Sequence, residues 1–134
     1  MKKVIQPKIQ ASQLVNKVGR YLYKNIDGAF RMKSSSNTFD VYTTLLYQLL
    51  PEFRSPRNSK ETNDVQEMTL NLSITTYQNK IRLNIIEVDP NERTLGYFLY
   101  PPELFDNMEV AFSKIQRDFN RTVKKKYDRY EILF

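Results

Sequence analysis

Two hydrophobic periods divide the chain. In residues 12–26, Val15, Val18, Leu22 and Ile26 recur every three or four positions, the spacing that gathers apolar side chains on one face of a helix. Ser12 is placed to cap this helix and Asp27-Gly28 to stop it, with Gly19 as its weak point. Residues 29–33 predict a short strand, and Ser34-Ser35-Ser36-Asn37 a loop ending in a good helix cap. A second helix is then expected from Thr38 to Leu50. Phe39, Val41, Tyr42, Leu45, Leu46, Leu49 and Leu50 would cover most of its circumference, so it should be buried, with Asp40 near its positive end.

From residue 69 the period shortens to two. Leu70, Leu72, Ile74 and Thr76 alternate with polar neighbours, and Ile81, Leu83 and Ile85 repeat the pattern, which predicts strands over 69–78 and 80–88 joined as a hairpin. Asp89-Pro90-Asn91-Glu92 suits a type I turn into a third strand over 94–100. Pro101-Pro102-Glu103 cannot continue a ladder but suits a helix start. Leu104, Met108, Ala111, Ile115, Phe119 and Val123 then continue the helical repeat, for a helix of roughly 39 Å whose end would project from so small a domain.

The polar, proline-containing segment 53–66 has no period and reads as a long loop. At the other end, Tyr127, Tyr130, Ile132, Leu133 and Phe134 form an apolar tail over 127–134, expected to dock on this chain or on a partner. The expected architecture is α+β in one domain spanning 1–134. It is a three- to four-stranded antiparallel meander, with two N-terminal helices and one long C-terminal helix on one face.

Composition removes most chemistry. Cysteine and histidine are both absent, which excludes disulfides, thiol nucleophiles, serine–histidine pairs and the commonest transition-metal ligand. Glycine occurs only at 19, 28 and 96, too sparsely for a phosphate-cradling loop. Glu87, Asp89 and Glu92, with Glu103 and Asp106, are the best carboxylates for a hard cation, but they lack calcium-loop spacing and suit ordinary solvated turns. The expectation is therefore a protein that is not an enzyme, with no catalytic residue, cofactor or metal. No apolar run reaches the length of a signal core or a membrane span, which predicts an intracellular protein, cytoplasmic or nuclear. The acid-free stretch 1–26, with Lys2, Lys3, Lys8, Lys17, Arg20 and Lys24, keeps an organelle address open.

Charge adds a second pattern. Residues 1–33 carry 8 basic and 1 acidic side chains, 34–110 carry 6 and 11, and 111–134 carry 7 and 3. At 100° per residue, Lys17, Arg20 and Lys24 fall opposite the apolar stripe of the first helix, and Lys114, Arg117, Arg121, Lys124 and Lys125 opposite that of the last. Such faces serve either as solvated surface or as a footprint for phosphate backbones and acidic partners.

Arg93–Tyr100 resembles the aromatic octamer of RNA-recognition motifs, but Leu95 stands where a stacking aromatic is required. The order of elements over 38–127 resembles that of double-stranded-RNA-binding domains, but the final helix starts with Glu103 and Asp106 where phosphates would dock. The expected function is an interaction module, a small subunit or adaptor of a larger intracellular complex, binding a protein partner through Tyr127, Tyr130, Ile132, Leu133 and Phe134. The alternative is nucleic-acid binding through the basic helix faces, and a homo-oligomer is compatible with either.

Overall fold

A computed structural model describes residues 10–54 and 64–133. Helix α1 (Ala11–Asn25) leads into strands β1 (Ala29–Ser34) and β2 (Phe39–Leu49), then β3 (Gln66–Tyr77), β4 (Lys80–Asp89) and β5 (Arg93–Tyr100). Helix α2 (Met108–Lys126) and a last strand β6 (Tyr130–Leu133) complete the fold. The sheet is antiparallel in the order β1-β2-β3-β4-β5, and β6 pairs with β2. The class is therefore α+β, as expected, and among the described residues there is one N-terminal helix instead of two and six strands instead of three or four. Part of the 53–66 segment and Phe134 lie outside the described residues.

The missing helix is β2. Its odd positions Phe39, Val41, Thr43, Leu45 and Tyr47 are buried, while Asp40, Tyr42, Thr44 and Leu46 turn to the opposite face. A strand apolar on both faces and a buried helix share a hydrophobic run that periodicity alone does not separate. The β-branched and aromatic content of Phe39–Tyr47 favours the pleated form, where such side chains keep their preferred rotamers. The strand is also central: β3 pairs along one edge, while the other is divided between β1, opposite Phe39–Thr43, and β6, opposite Leu46–Leu49.

The C-terminal helix is shorter than predicted. Pro102–Asp106 forms a 3-10 segment, and Asn107 leaves helical conformation at φ −123°, ψ 105°. Its side-chain oxygen accepts from the Val110 amide at 3.2 Å, so α2 has its own N-cap. The remaining 19 residues span roughly 28 Å. The helix therefore does not project, and the chain returns over the sheet as β6. Tyr127 and Ile132 of the expected docking tail are buried in this chain's own core, and Tyr130 and Leu133 are half-buried.

Both helices cover the same face. Phe39, Val41, Leu70, Leu72, Ile74, Leu83 and Ile85 form the sheet side of the core, and Val15, Val18, Leu22, Ala111, Ile115, Phe119 and Val123 the helix side. Two close contacts set the position of α1. Gly19 lies directly on the Phe39 ring, where a Cβ would come within 2.2 Å of the ring carbons. The helix start is capped from across the fold: Gln10 gives no side-chain cap, and the Asn79 Oδ1 accepts the Ala11 amide at 2.9 Å. Asn79 follows Gln78 in the β3–β4 turn, both with positive φ (48° and 56°), the backbone of a two-residue hairpin.

Candidate functional site

The apolar stripes that bury the inner sides of α1 and α2 leave their polar sides outward, and the charge there is one-sided. Lys17, Arg20 and Lys24 on α1, and Lys114, Arg117, Arg121, Lys124, Lys125 and Lys126 on α2, are all exposed. Helix α1 has no acidic residue. Of the two on α2, Asp118 is buried and accepts the Tyr100 hydroxyl at 2.7 Å, which leaves Glu109 exposed. Burial, and then Asp118, push the Tyr100 phenol well above its usual range, so this pair is a structural hydrogen bond between β5 and α2. Among the described residues, Lys17, Lys24, Lys114, Arg117, Arg121 and Lys125 form no ion pair.

The helices meet where Tyr21 sets its ring edge-on to Phe112, centroids 5.8 Å apart. The basic faces predicted separately thus belong to one helical layer, on the side away from the uncovered sheet face. Beneath this contact lies a cavity of about 520 Å³, lined by Asn25–Gly28, by Thr44–Leu46, by Phe112, Gln116, Phe119 and Asn120 of α2, and by Leu133. It exists because β1 and β6 share the edge of β2 without filling it. Gly28 makes the join: at φ +82° it brings the chain so close to β2 that a Cβ would lie 2.5 Å from the Thr44 carbonyl oxygen. The Thr44 amide donates to the Gly28 carbonyl at 3.0 Å, and the Thr43 hydroxyl to that of Asp27 at 3.0 Å.

Of the carboxylates considered for a cation, Glu87 is otherwise engaged, while Asp89, Glu92, Glu103 and Asp106 are exposed. Glu87 is fully buried, and its oxygens accept from the Tyr127 hydroxyl, from Arg93 Nε at 2.9 Å and from the Asn91 amide at 3.2 Å. Burial works to raise its pKa, but these donors outweigh it and hold Glu87 below the usual carboxylate value. Tyr127, desolvated and bonded to that carboxylate, is pushed up to about 12. The cluster fastens the β4–β5 turn to the end of α2. Among the described residues, no group of three or more acidic side chains is placed to hold a metal ion.

Among the described residues, no element covers the other face of the sheet. Leu46, Tyr77, Val88, Tyr97 and Leu99 are exposed on it, and the Arg82 guanidinium lies 4.6 Å from the centroid of the Tyr97 ring and 5.8 Å from that of Tyr77. Of the apolar tail, in contrast, the described residues Tyr127, Tyr130, Ile132 and Leu133 are buried or half-buried and form no exposed patch. Sequence reasoning found the cations but missed the cavity. Its one available signal was Phe112, Gln116 and Asn120 at four-residue spacing, on the flank between the apolar and basic stripes of α2.

No protein-family model, curated protein or solved structure matches this chain. Among the described residues, no helix is long and apolar enough to cross a membrane.

Proposed function

We propose that this chain is a non-catalytic binding module whose ligand is a nucleic-acid backbone, engaged by the outer faces of α1 and α2. The observation that carries this reading is nine exposed cations against one exposed carboxylate on two adjacent helices. A helix macrodipole favours cations in a last turn, which accounts for Lys124, Lys125 and Lys126 without any ligand. It does not account for Lys114, Arg117 and Arg121 along the body of α2, nor for the acid-free α1. Fixed cations aligned on a rigid layer release counterions when they neutralise phosphates, and this supplies affinity without sequence readout.

The test is fluorescence anisotropy of labelled mixed-sequence duplex and single strands, titrated with protein across a range of salt. Binding should weaken as salt rises. Arg117→Glu with Arg121→Glu should flatten the log–log salt slope by about 0.9 per lost phosphate contact on duplex, or about 0.7 on single strands. Absence of binding at low salt would reduce the ridge to a solvated face.

A second reading, the assembly module, now draws its support from the uncovered sheet face rather than the tail, because Tyr127 and Ile132 are spent on the chain's own core. Tyr97→Asp and Leu99→Asp would abolish that kind of contact and spare binding through the helices.

A further inference from the structure

We infer that the cavity between α1, α2 and the divided edge of β2 receives an unstacked base of a single-stranded nucleic acid whose phosphates ride on the helical cations. This deepens the nucleic-acid reading and rests on it. At about 520 Å³ the space falls within the usual range for small-ligand sites, roughly 300–1,000 Å³. A base with its sugar fits comfortably inside it.

The lining suits a flat, polar-edged ring better than an aliphatic or a charged guest. Phe112 and Phe119 supply aromatic surface, and Ile26, Leu45 and Leu133 complete the apolar wall. The carboxamides of Asn25, Gln116 and Asn120 interrupt that wall. Gln116 Nε2 donates to Asn120 Oδ1 at 2.9 Å, so the pair keeps an acceptor on Gln116 and a donor group on Asn120 in adjacent helical turns. Side-by-side donor and acceptor are what the hydrogen-bonding edge of a base requires once it is splayed from its stack. The Asn25 amide is already turned to the Tyr21 carbonyl at 2.8 Å, leaving its oxygen to accept.

The surroundings argue for a polymer rather than a free heterocycle. Lys24 immediately precedes Asn25, and Arg117 and Arg121 immediately follow Gln116 and Asn120, so each cavity-lining carboxamide is adjacent in the chain to an exposed cation. Asp27, the acid of the lining, is exposed. It can accept from an exocyclic amine but disfavours a phosphate inside, which keeps the backbone on the helices and the base beneath.

The experiment compares three labelled probes of equal length and charge per strand: a single strand, the same strand with every base replaced by an abasic linker, and a duplex. Stacking and edge contacts for one seated base predict that the intact single strand binds wild-type protein roughly tenfold or more tightly than the abasic strand at matched salt. The double variant Gln116→Leu with Asn120→Leu should bring the two strands level and leave the salt slope unchanged. Equal binding of intact and abasic strands by the wild type would overturn the cavity assignment and leave the ridge standing, and that arm needs no variant to fold. A duplex preferred over the single strand would overturn it equally. If no probe binds at low salt, the underlying reading fails and the cavity assignment with it.

Discussion

Replacing Gly19 by alanine should destabilise the protein, although alanine is the better helix former. In an exposed helix the change would gain about 1 kcal/mol from propensity and lower unfolded-state entropy. Here the new methyl would come within 2.2 Å of both Cγ and Cδ1 of Phe39 and within 2.8 Å of its Cβ. Ordinary carbon contacts lie near 3.5–4.0 Å, so the overlap exceeds an ångström and involves the stem of the ring as well as its edge. Phe39 is 1% exposed and sits on a strand paired along both edges, so its ring cannot move without displacing packed neighbours. Overpacking of this kind costs about 1–3 kcal/mol, and more where the backbone must shift.

With an overlap this large the cost falls in the upper part of that range, and set against the propensity gain of about 1 kcal/mol the net expectation is a loss of about 1–2 kcal/mol, or roughly 3–8 °C in melting temperature for a domain of this size. The assay is a double-mutant cycle read by chemical denaturation. Phe39→Leu alone opens a void and destabilises, but Gly19→Ala combined with Phe39→Leu should lose clearly less than the sum of the two, because the leucine vacates space that the methyl fills. Strict additivity, or a Gly19→Ala protein more stable than the wild type, would refute the claim that this glycine exists for the helix–ring contact.

Further outcomes follow from the polar contacts. Glu87 has a lowered folded-state pKa, so its contribution to stability is complete above the unfolded value and is lost as pH falls through the folded one. Glu87→Gln should cost about 1–3 kcal/mol at neutral pH and show a shallower loss of stability on acidification below about pH 4.5; parallel acid profiles for the two proteins would refute the assignment. Asn79 serves both as a positive-φ turn residue and as the cap of α1. Asn79→Gly should therefore lose about 1 kcal/mol for the cap alone, and Asn79→Ala about 1 kcal/mol more for the turn, as measured by thermal unfolding.

The period-two strands β3 and β4, the sites of both helices and their basic stripes were legible because each rests on local spacing. Strand β2 was not, since the eight apolar residues of 39–50 fall at both odd and even positions, and its β-branched and aromatic content decides for a strand only together with pairing partners on both edges. Gly19 was legible as an anomaly but not as a requirement, because its reason is a ring twenty residues away. The Asn79 cap and the Glu87 cluster each join segments distant in sequence, and no local pattern announces them; the cavity joins distant segments too, with the spacing of Phe112, Gln116 and Asn120 as its one local trace. The basic layer was half legible: spacing placed the cations outward, but the Tyr21–Phe112 contact that brings the two helices together is tertiary.

The divided edge of β2 also bears on how the molecule opens. The α1–β1 unit and the α2–β6 unit grip the same strand at different stretches, so their strands do not pair with each other. Either strand can detach while the other keeps its ladder, giving two separate partial unfoldings around a persistent β2–β3–β4 centre. Strand β6 is the weaker grip, with four paired positions and most of the chain to close between its partners. Amide hydrogens at Tyr130–Leu133 should therefore exchange first within the sheet, and each such opening would expose the floor of the cavity to solvent without disturbing the centre.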